Sequence, residues 1–472
     1  MERVIEVRSP ATGELVGKVP AMTVGEVREE ISRAVEGFEE VSKMPLYKRA
    51  AVLRRVSEIL DERREEFARL LALEAGKPIR DARVEVLRAS RVFRQAAEEA
   101  PIVLEGRVHR VDAYEYPPGN ENRLVMTVRE PIGVVAAILP FNFPVNSMAH
   151  KVAPAIAAGN SVVVKPSAAT PLSALKLREA LIEAGLPENA VRVVTGFSGE
   201  IGSELVENED IGLITFTGST EVGLKIASTA VARGKRVIME LGGSDPMIVL
   251  DDADVERAAR IAVRARYEYA GQNCNAAKRI IVHEKVADKF VRLFEELASK
   301  LRLGDPLSED TDVGPVISGD AVRRLDEFVE DARGKGGRVR VLVEKPGLPG
   351  SFYPITVVED AGPEMEVMRR EVFGPIAPIA VVSSDEEAVK LANSTEYGLQ
   401  AAIFTRDLER ALQLAREIRA GGVIINDSTR LRWDSLPFGG VKKSGIGREG
   451  VRDSMLEMTE VKVVAITFTR GS

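Results

Sequence analysis

Residues 133–139, GVVAAIL, and residues 161–165, SVVVK, decide the fold. Each is a short apolar run of small and β-branched residues, the length of a buried strand and too short for a core helix. Similar runs recur at Val191–Thr195, Gly212–Phe216 and Arg236–Met239, with helical segments such as Leu172–Ala184 between them. Strands separated by helices do not pair as hairpins. Each connection crosses back over the sheet, which predicts an α/β fold with a parallel, doubly wound sheet. A second α/β pattern begins near Pro246, with strands at Met247–Leu250, Arg279–His283, Ala377–Val382 and Gly422–Asn426, punctuated by loops around Arg333–Arg338 and Gly347–Ser351. Two or three domains are what 472 residues predict, because a chain of this length outgrows one core.

Upstream of the first sheet the texture is helical. Thr23 and Glu26 have capping-box spacing, and Val27, Ile31, Val35 and Phe38 follow at helical intervals. One long helix is expected over Tyr47–Ala75, stopped by Gly76-Lys77-Pro78, and another over Arg80–Glu99. Only Val4–Arg8 at the start reads as a strand. Tyr114–Pro118 and Arg123–Arg129 flank a Pro-Pro-Gly-Asn-Glu-Asn turn and predict a hairpin, and a last strand covers Val461–Thr469.

Composition excludes several classes. A net charge of −7 without any Lys/Arg block argues against a nucleic-acid partner. The N-terminus lacks an apolar core flanked by basic residues, and the longest apolar run, Ile132–Phe141, is too short to span a bilayer. A cytoplasmic protein without membrane contact is expected. The single cysteine rules out an internal disulfide and a multi-cysteine metal site, and His109, His150 and His283 fit no metal-binding spacing. Metal-free chemistry is therefore expected. Arginine exceeds lysine and charge is spread along helices, which suits a heat-stable surface of ion pairs.

Few residues carry chemistry. Cys274 stands in Gly-Gln-Asn-Cys-Asn after the helical stretch Arg257–Tyr269. A lone cysteine is ordinarily a small buried hydrophobe, but a polar, glycine-bearing loop suits an accessible, stabilised thiolate. Glu240, in Met-Glu-Leu-Gly-Gly at a strand end, is either a cap or turn residue or a base that directs water at an acyl carbon. Asn142 lies in Pro-Phe-Asn-Phe-Pro, where an amide either serves the loop itself or donates to a developing oxyanion. Lys165 leads into Lys-Pro-Ser at a strand end, within reach of a ribose or phosphate at the sheet's crevice. Phe216-Thr-Gly-Ser-Thr-Glu-Val-Gly223 is a strand, a turn and a helix start, either a generic turn or a pyrophosphate site. It is not the G-x-G-x-x-G fingerprint. Glu371-Val-Phe-Gly-Pro375 and Pro437-Phe-Gly-Gly-Val-Lys-Lys-Ser-Gly445 are ordinary turns when seen alone.

Taken in order, these motifs resemble the aldehyde dehydrogenase superfamily over nearly the whole chain, including archaeal lactaldehyde- and glyceraldehyde-type members. The resemblance implies two doubly wound domains, for cofactor and for catalysis, plus a β-arm through which subunits pair. Their expected bounds are 1–113 with 130–239, then 240–446, and an arm of 114–129 with 452–472. It places the nucleophile on Cys274, the general base on Glu240 and the oxyanion donor on Asn142. Cofactor contacts fall on Ile138, Leu139, Pro140, Phe141, Lys165, Ser167, Ala168, Gly202, Phe216, Gly218, Ser219, Val222, Leu241, Glu371 and Phe373. The implied reaction is oxidation of a small aldehyde to an acid through a thioester, with NAD or NADP as oxidant. Acyl transfer to coenzyme A or phosphate is the rival within the class, and Glu240 argues against it. A binding protein without catalysis is disfavoured by the three residues occurring together, and a cysteine hydrolase by the absence of a histidine motif.

One departure bears on the cofactor. Ala168 stands where NAD-preferring members often carry glutamate, so repulsion of a 2′-phosphate is absent while Lys165 attracts it. NADP is expected to be preferred. A homodimer or homotetramer is expected from the arm. In the loop Asp427–Asp434, Arg430 and Arg432 either bind an anionic or hydroxylated aldehyde or are surface arginines, and His150, Met148 and Trp433 equally suit the pocket.

Overall fold

A computed structural model describes residues 3–468. The run at 133–139 forms the strand Val134–Ile138, buried at every position and central in a six-stranded sheet. Across that sheet the strands lie in the order Gly445–Ile446, Arg236–Glu240, Ile211–Thr217, Val134–Ile138, Ser161–Lys165 and Val191–Val193. All neighbours are parallel except the first pair. Strand order reverses between Val134–Ile138 and Ile211–Thr217. That reversal opens a crevice beyond their carboxyl ends, where α/β sheets bind ligands.

Helices in the opening quarter back this sheet. Thr23 and Glu26 exchange the two hydrogen bonds of a capping box at the start of Val24–Val41. The expected long helix is two, Leu46–Glu62 and Arg64–Ala75, broken at Arg63 (φ −104°, ψ 24°). Its amphipathic pattern runs through the break, so periodicity alone does not reveal it. The next helix covers Ile79–Val103. Two glutamates from this layer cap other helices. Glu74 accepts from the backbone N–H groups of Leu172 and Ser173, and Glu85 from those of Val145 and Asn146. Neither Pro171 nor Phe143 has a capping side chain, so each helix start borrows a carboxylate that also suits its positive end.

The second sheet has seven strands, ordered Arg338–Val343, Ile355–Glu359, Ile376–Val382, Ala277–His283, Asp245–Val249, Gln400–Phe404 and Gly422–Ile425. Only the first pair is antiparallel. The sequence reading lacked three of these strands. Gln400–Phe404 is short and alanine-rich, and Arg338–Val343 is an edge strand whose charged residues face water. The expected loop around Arg333 is the end of the helix Gly319–Gly334.

The expected hairpin over Tyr114–Arg129 is a correction. Tyr114–Pro118 forms no strand, because Pro117 and Pro118 have no N–H to give to a ladder. Arg123–Pro131 instead lies between Arg107–His109 and the strand Thr459–Thr467, which it pairs in nine-residue antiparallel register. Thr469 and the residues after it, part of the expected arm, lie outside the described residues. The short helix Val451–Glu457 puts Val451 and Met455 into the core of the first sheet's helical layer. Among the described residues no helix is long and apolar enough to cross a membrane.

Candidate active site

The carboxyl ends of the two sheets face a cavity of about 1310 Å³. On its first wall stand Ile138, Leu139, Pro140 and Phe141, just beyond one strand of the switch point, and Phe216, Gly218 and Ser219 beyond the other. Lys165, Ser167, Val222 and Leu241 continue that wall, while Cys274, Glu371 and Phe373 come from the second sheet's side. Ala168 and Gly202 do not line the cavity. The Ala168 methyl packs toward Ile5, Val19 and Ala21 instead. Lys165 is buried, with Nζ 3.1 Å from the Pro166 carbonyl, and burial lowers its pKa to about 8.

The nucleophile candidate sits after a strained turn. The helix Val255–Tyr267 ends in three left-handed residues, Tyr269 (φ 51°), Ala270 (φ 52°) and Gly271 (φ 70°). Side-chain-bearing residues adopt this conformation at a cost of order 1–3 kcal/mol each, so neighbours must hold them there. Buried Arg266 donates to the carbonyls of Ile376 (2.7 Å), Val372 (3.0 Å) and Gly374, and the Tyr269 hydroxyl to Ala75 (2.8 Å). Gln272 then accepts from the Ile317 N–H (2.9 Å) and donates to Pro315. Asn142 Nδ2 donates to the Gln272 carbonyl (2.8 Å), tying its loop to this turn. An amide carries a second N–H, so this contact uses only part of its donating capacity. Cys274 itself keeps partial access to the cavity. Burial of its charged form pushes the thiol up to about 12; Lys278 opposes that, and Glu240 and Asp245 add to it. The sequence context suggested a stabilised thiolate, whereas burial of the site works against the charged form.

Glu240 ends its strand buried, and its Oε1 has no hydrogen-bond partner among the described residues. Gly439 makes room for it, since a Cβ there would stand 2.7 Å from that oxygen. Burial, then nearby Glu449, raises the Glu240 pKa well above the usual carboxylate range, against Arg432, Lys151 and Arg448. Glu449 accepts from Lys151 (3.1 Å) and Arg432 (3.0 Å), and stays ionised because of Lys151, His150 and Arg432 despite its burial. Asp434 accepts from Arg88 (2.6 Å) and lies 3.0 Å from His150 Nε2. The surface-arginine reading is overturned by this network. Arg432 stacks 3.9 Å from the Phe438 ring centroid, and Arg430 pairs with Glu268. Both arginines line the cavity, as does His150; Met148 is in the core and Trp433 is exposed.

A second buried cation stands beneath the Asn142 loop. Lys77 pairs with Glu85, and its Nζ lies 3.6 Å from the Phe143 centroid and 4.6 Å from that of Tyr269. It therefore touches both loops that carry Asn142 and Cys274. Removing one partner strands a buried charge. Lys77→Ala is expected to lower unfolding free energy by about 3–5 kcal/mol, read from denaturant midpoints at constant slope.

Sequence reasoning missed Lys278, Lys151, Glu449 and Asp245. Lys278 and Arg279 carried a usable signal: adjacent charges inside a strand, AKRIIVH, buried at all seven positions. Lys151 and Glu449 are 298 residues apart and carried none.

A switch-point crevice in one cavity with a lone cysteine, an asparagine amide and a buried carboxyl fits a nicotinamide-dependent oxidoreductase. The aldehyde dehydrogenase family model matches residues 1–464, and the chain belongs to that family, whose members oxidise aldehydes with NAD(P). It is similar to the 3-sulfolactaldehyde dehydrogenase of Priestia aryabhattai, 41% identical over 98% of this chain and 95% of that one. The lactaldehyde dehydrogenase of Methanocaldococcus jannaschii is 40% identical over 98% and 97% of the two chains. Among solved structures, the glyceraldehyde-3-phosphate dehydrogenase GapN of M. jannaschii, complexed with NADP, superposes with a TM-score of 0.93 at 39% identity, covering 99% of this chain and 100% of that one.

Proposed function

We propose that this enzyme oxidises a short 2-hydroxyaldehyde to its acid, with NADP preferred over NAD, through a thioester on Cys274. The observation that carries this reading is continuity. One cavity is lined both by Lys165 and Ser167 and by Cys274, Glu240 and Asn142. A nicotinamide dinucleotide held by Lys165, Ser167, Glu371 and Phe373 would supply the hydride acceptor for this oxidation. The chain's own residues do the rest. Cys274 adds to the aldehyde carbon, and Asn142 Nδ2 with the Cys274 N–H steadies the oxyanion. Glu240 takes a proton from water, which attacks the acyl carbon and frees the thiol. Glu371 and Phe373 flank the position expected for the nicotinamide ribose and ring.

The substrate class follows from the wall beyond Cys274. His150, Arg430 and Arg432 line the cavity, and among the described residues His150 Nδ1 and Arg432 Nε have no hydrogen-bond partner, Arg432 Nε standing 3.8 Å from Asp434. A hydroxyl or anionic group satisfies such atoms and a plain alkyl chain does not, which a polar pocket punishes strongly. Sulfolactaldehyde, lactaldehyde and glyceraldehyde 3-phosphate, named for three of the relatives, are short hydroxyaldehydes and support this class, while relatives of 38–40% identity named for succinate and aspartate semialdehydes make the semialdehydes its rival. The test is NADPH formation without coenzyme A across lactaldehyde, glyceraldehyde, glyceraldehyde 3-phosphate, sulfolactaldehyde, succinate semialdehyde and hexanal. Hydroxyaldehydes are expected to lead, and a lead for hexanal would overturn the class.

NADP preference rests on Lys165 rather than on Ala168, which faces away from the cavity. A cation near a 2′-phosphate is favourable only while protonated. Lys165 loses its proton as pH rises through about 8. The KM for NADP is therefore expected to climb severalfold between pH 7 and 9 while that for NAD stays flat. Parallel profiles for the two nucleotides would remove Lys165 from the 2′-phosphate.

A homodimer or homotetramer joined through the three-stranded arm is also proposed. The strand Thr459–Thr467 leaves one edge unpaired in the monomer and exposes Val461 and Val463, which is a surface that invites a second copy.

A further inference from the structure

Lys278 stands where the two halves of the site are joined. It is wholly buried in the strand Ala277–His283, four residues beyond Cys274. Its Nζ donates to the main-chain carbonyl of Cys274 and to Glu371 Oε1 at 2.8 Å. The same nitrogen lies 5.7 Å from the Phe373 ring centroid. Glu371 Oε1 also accepts from the Gly243 N–H at 3.3 Å. Its other oxygen fills the space beside Gly242, where a Cβ would meet it at 2.3 Å. The Glu371 carboxylate is thus parked on Lys278 and the Gly242-Gly243 backbone. Only the absence of a side chain at Gly242 permits that position.

A buried ammonium needs counter-charge or acceptors on every side. The charged and titratable groups around it, the thiol and Glu371 include Asp245, Glu240, Arg432, Arg430, Arg279, Arg266 and Tyr397. Asp245 is buried, and burial raises its pKa to about 8 against the pull of Lys278 and of the Gln400 backbone N–H, so it is chiefly neutral near pH 7. Glu371 is then the carboxylate that directly neutralises Lys278. If that carboxylate turns toward ribose hydroxyls, Lys278 retains the Cys274 carbonyl and its uncompensated charge favours the thiolate.

We propose that Lys278 is a positioning residue that couples Glu371 to the nucleophile, so that engagement of Glu371 by the cofactor raises the reactivity of Cys274. The proposal rests on the reading that Cys274 is the nucleophile and that Glu371 holds the nicotinamide ribose. It differs from that reading in assigning the link between them to one side chain. Lys278→Met keeps the length of the chain and removes the charge. Glu371→Gln removes the neutralising carboxylate and leaves the ammonium.

The experiment uses the full-length protein, in which Cys274 is the sole thiol, so labelling reports a single site. The rate of alkylation by iodoacetamide is measured at pH 7–9 with and without saturating NADP, for wild type, Lys278→Met and Glu371→Gln. Any covering of the thiol by NADP is common to wild type and Lys278→Met, so their ratio isolates the coupling. That ratio is expected to rise at least fivefold on adding NADP. Without NADP, Glu371→Gln is expected to react several times faster than wild type, and Lys278→Arg, which keeps the charge, to retain the NADP response. A wild-type to Lys278→Met ratio unchanged by NADP overturns the proposal, as does an unaltered rate in Glu371→Gln. Should Lys278→Met fail to fold, the Glu371→Gln and Lys278→Arg rates decide it. Turnover of aldehyde by wild type is read separately. An enzyme that turns over without the coupling loses this inference alone, and one that forms no NADPH with any aldehyde loses the proposed function.

Discussion

Cys274→Ala is expected to abolish NADPH formation, with kcat/KM falling by at least ~10⁴-fold because the covalent route has no substitute. The sequence offers no second thiol. The buried lysines behind the site offer no substitute: Lys278 is held by Glu371 and the Cys274 carbonyl, and Lys151 by Glu449 and Thr215. Alanine also leaves the fold nearly untouched, since the turn at 269–271 is held by Arg266, the Tyr269 hydroxyl and Gln272 rather than by the thiol. NADP affinity, followed by quenching of protein fluorescence, is therefore expected to stay within about threefold of wild type, well under the 1.4 kcal/mol that a tenfold change represents. The combination separates chemistry from binding. Residual turnover above a few per cent of wild type means that the hydride leaves from something other than a Cys274 adduct. A loss of NADP binding instead means that the variant has damaged the turn.

Much of this site was legible because its chemistry depends on residue types that have poor alternative explanations. A carboxylate closing an apolar strand, as Glu240 does, or an asparagine between two Phe-Pro corners, as Asn142 is, stands out against local pattern. The parallel sheets were legible for a similar reason, since strands buried on both faces read as continuous apolar runs. What stayed hidden depends on pairing across the chain. The partner of Arg123–Pro131 is 336 positions away at Thr459–Thr467, and nothing in either segment names the other. In the left-handed turn at 269–271 only Gly271 carries a signal; Tyr269 and Ala270 carry none, because the surrounding hydrogen bonds rather than the residues themselves impose their conformation. Lys151, Glu449, Asp434 and Arg88 each look like ordinary surface charges in their own helix or loop. Only the fold removes water from around them and turns them into a buried network.

That network governs the second large effect. Glu240→Gln is expected to release a single NADPH per active site in a rapid burst and then to slow, with steady-state kcat about 10²–10⁴-fold below wild type. Glutamine preserves shape and cannot accept a proton from water, so hydride transfer proceeds and the thioester on Cys274 waits. Hydroxylamine, which attacks a thioester without help from a base, is expected to restore turnover and yield the hydroxamate. Wild type has a pH dependence of matching origin. Burial and Glu449 hold the Glu240 proton on above the usual carboxylate range, while Arg432, Lys151 and Arg448 pull the other way. Only the ionised form is a base, so the deacylation rate rises with pH until Glu240 has lost its proton, and the burst rate need not follow it. Glu240→Gln is expected to lose that rising limb in the steady state. If the burst disappears together with the steady state, Glu240 acts before the thioester forms, and water activation passes to another group. If the variant turns over at the wild-type rate, the buried carboxyl has no part in hydrolysis, and its missing hydrogen-bond partner marks a bound water or substrate hydroxyl instead.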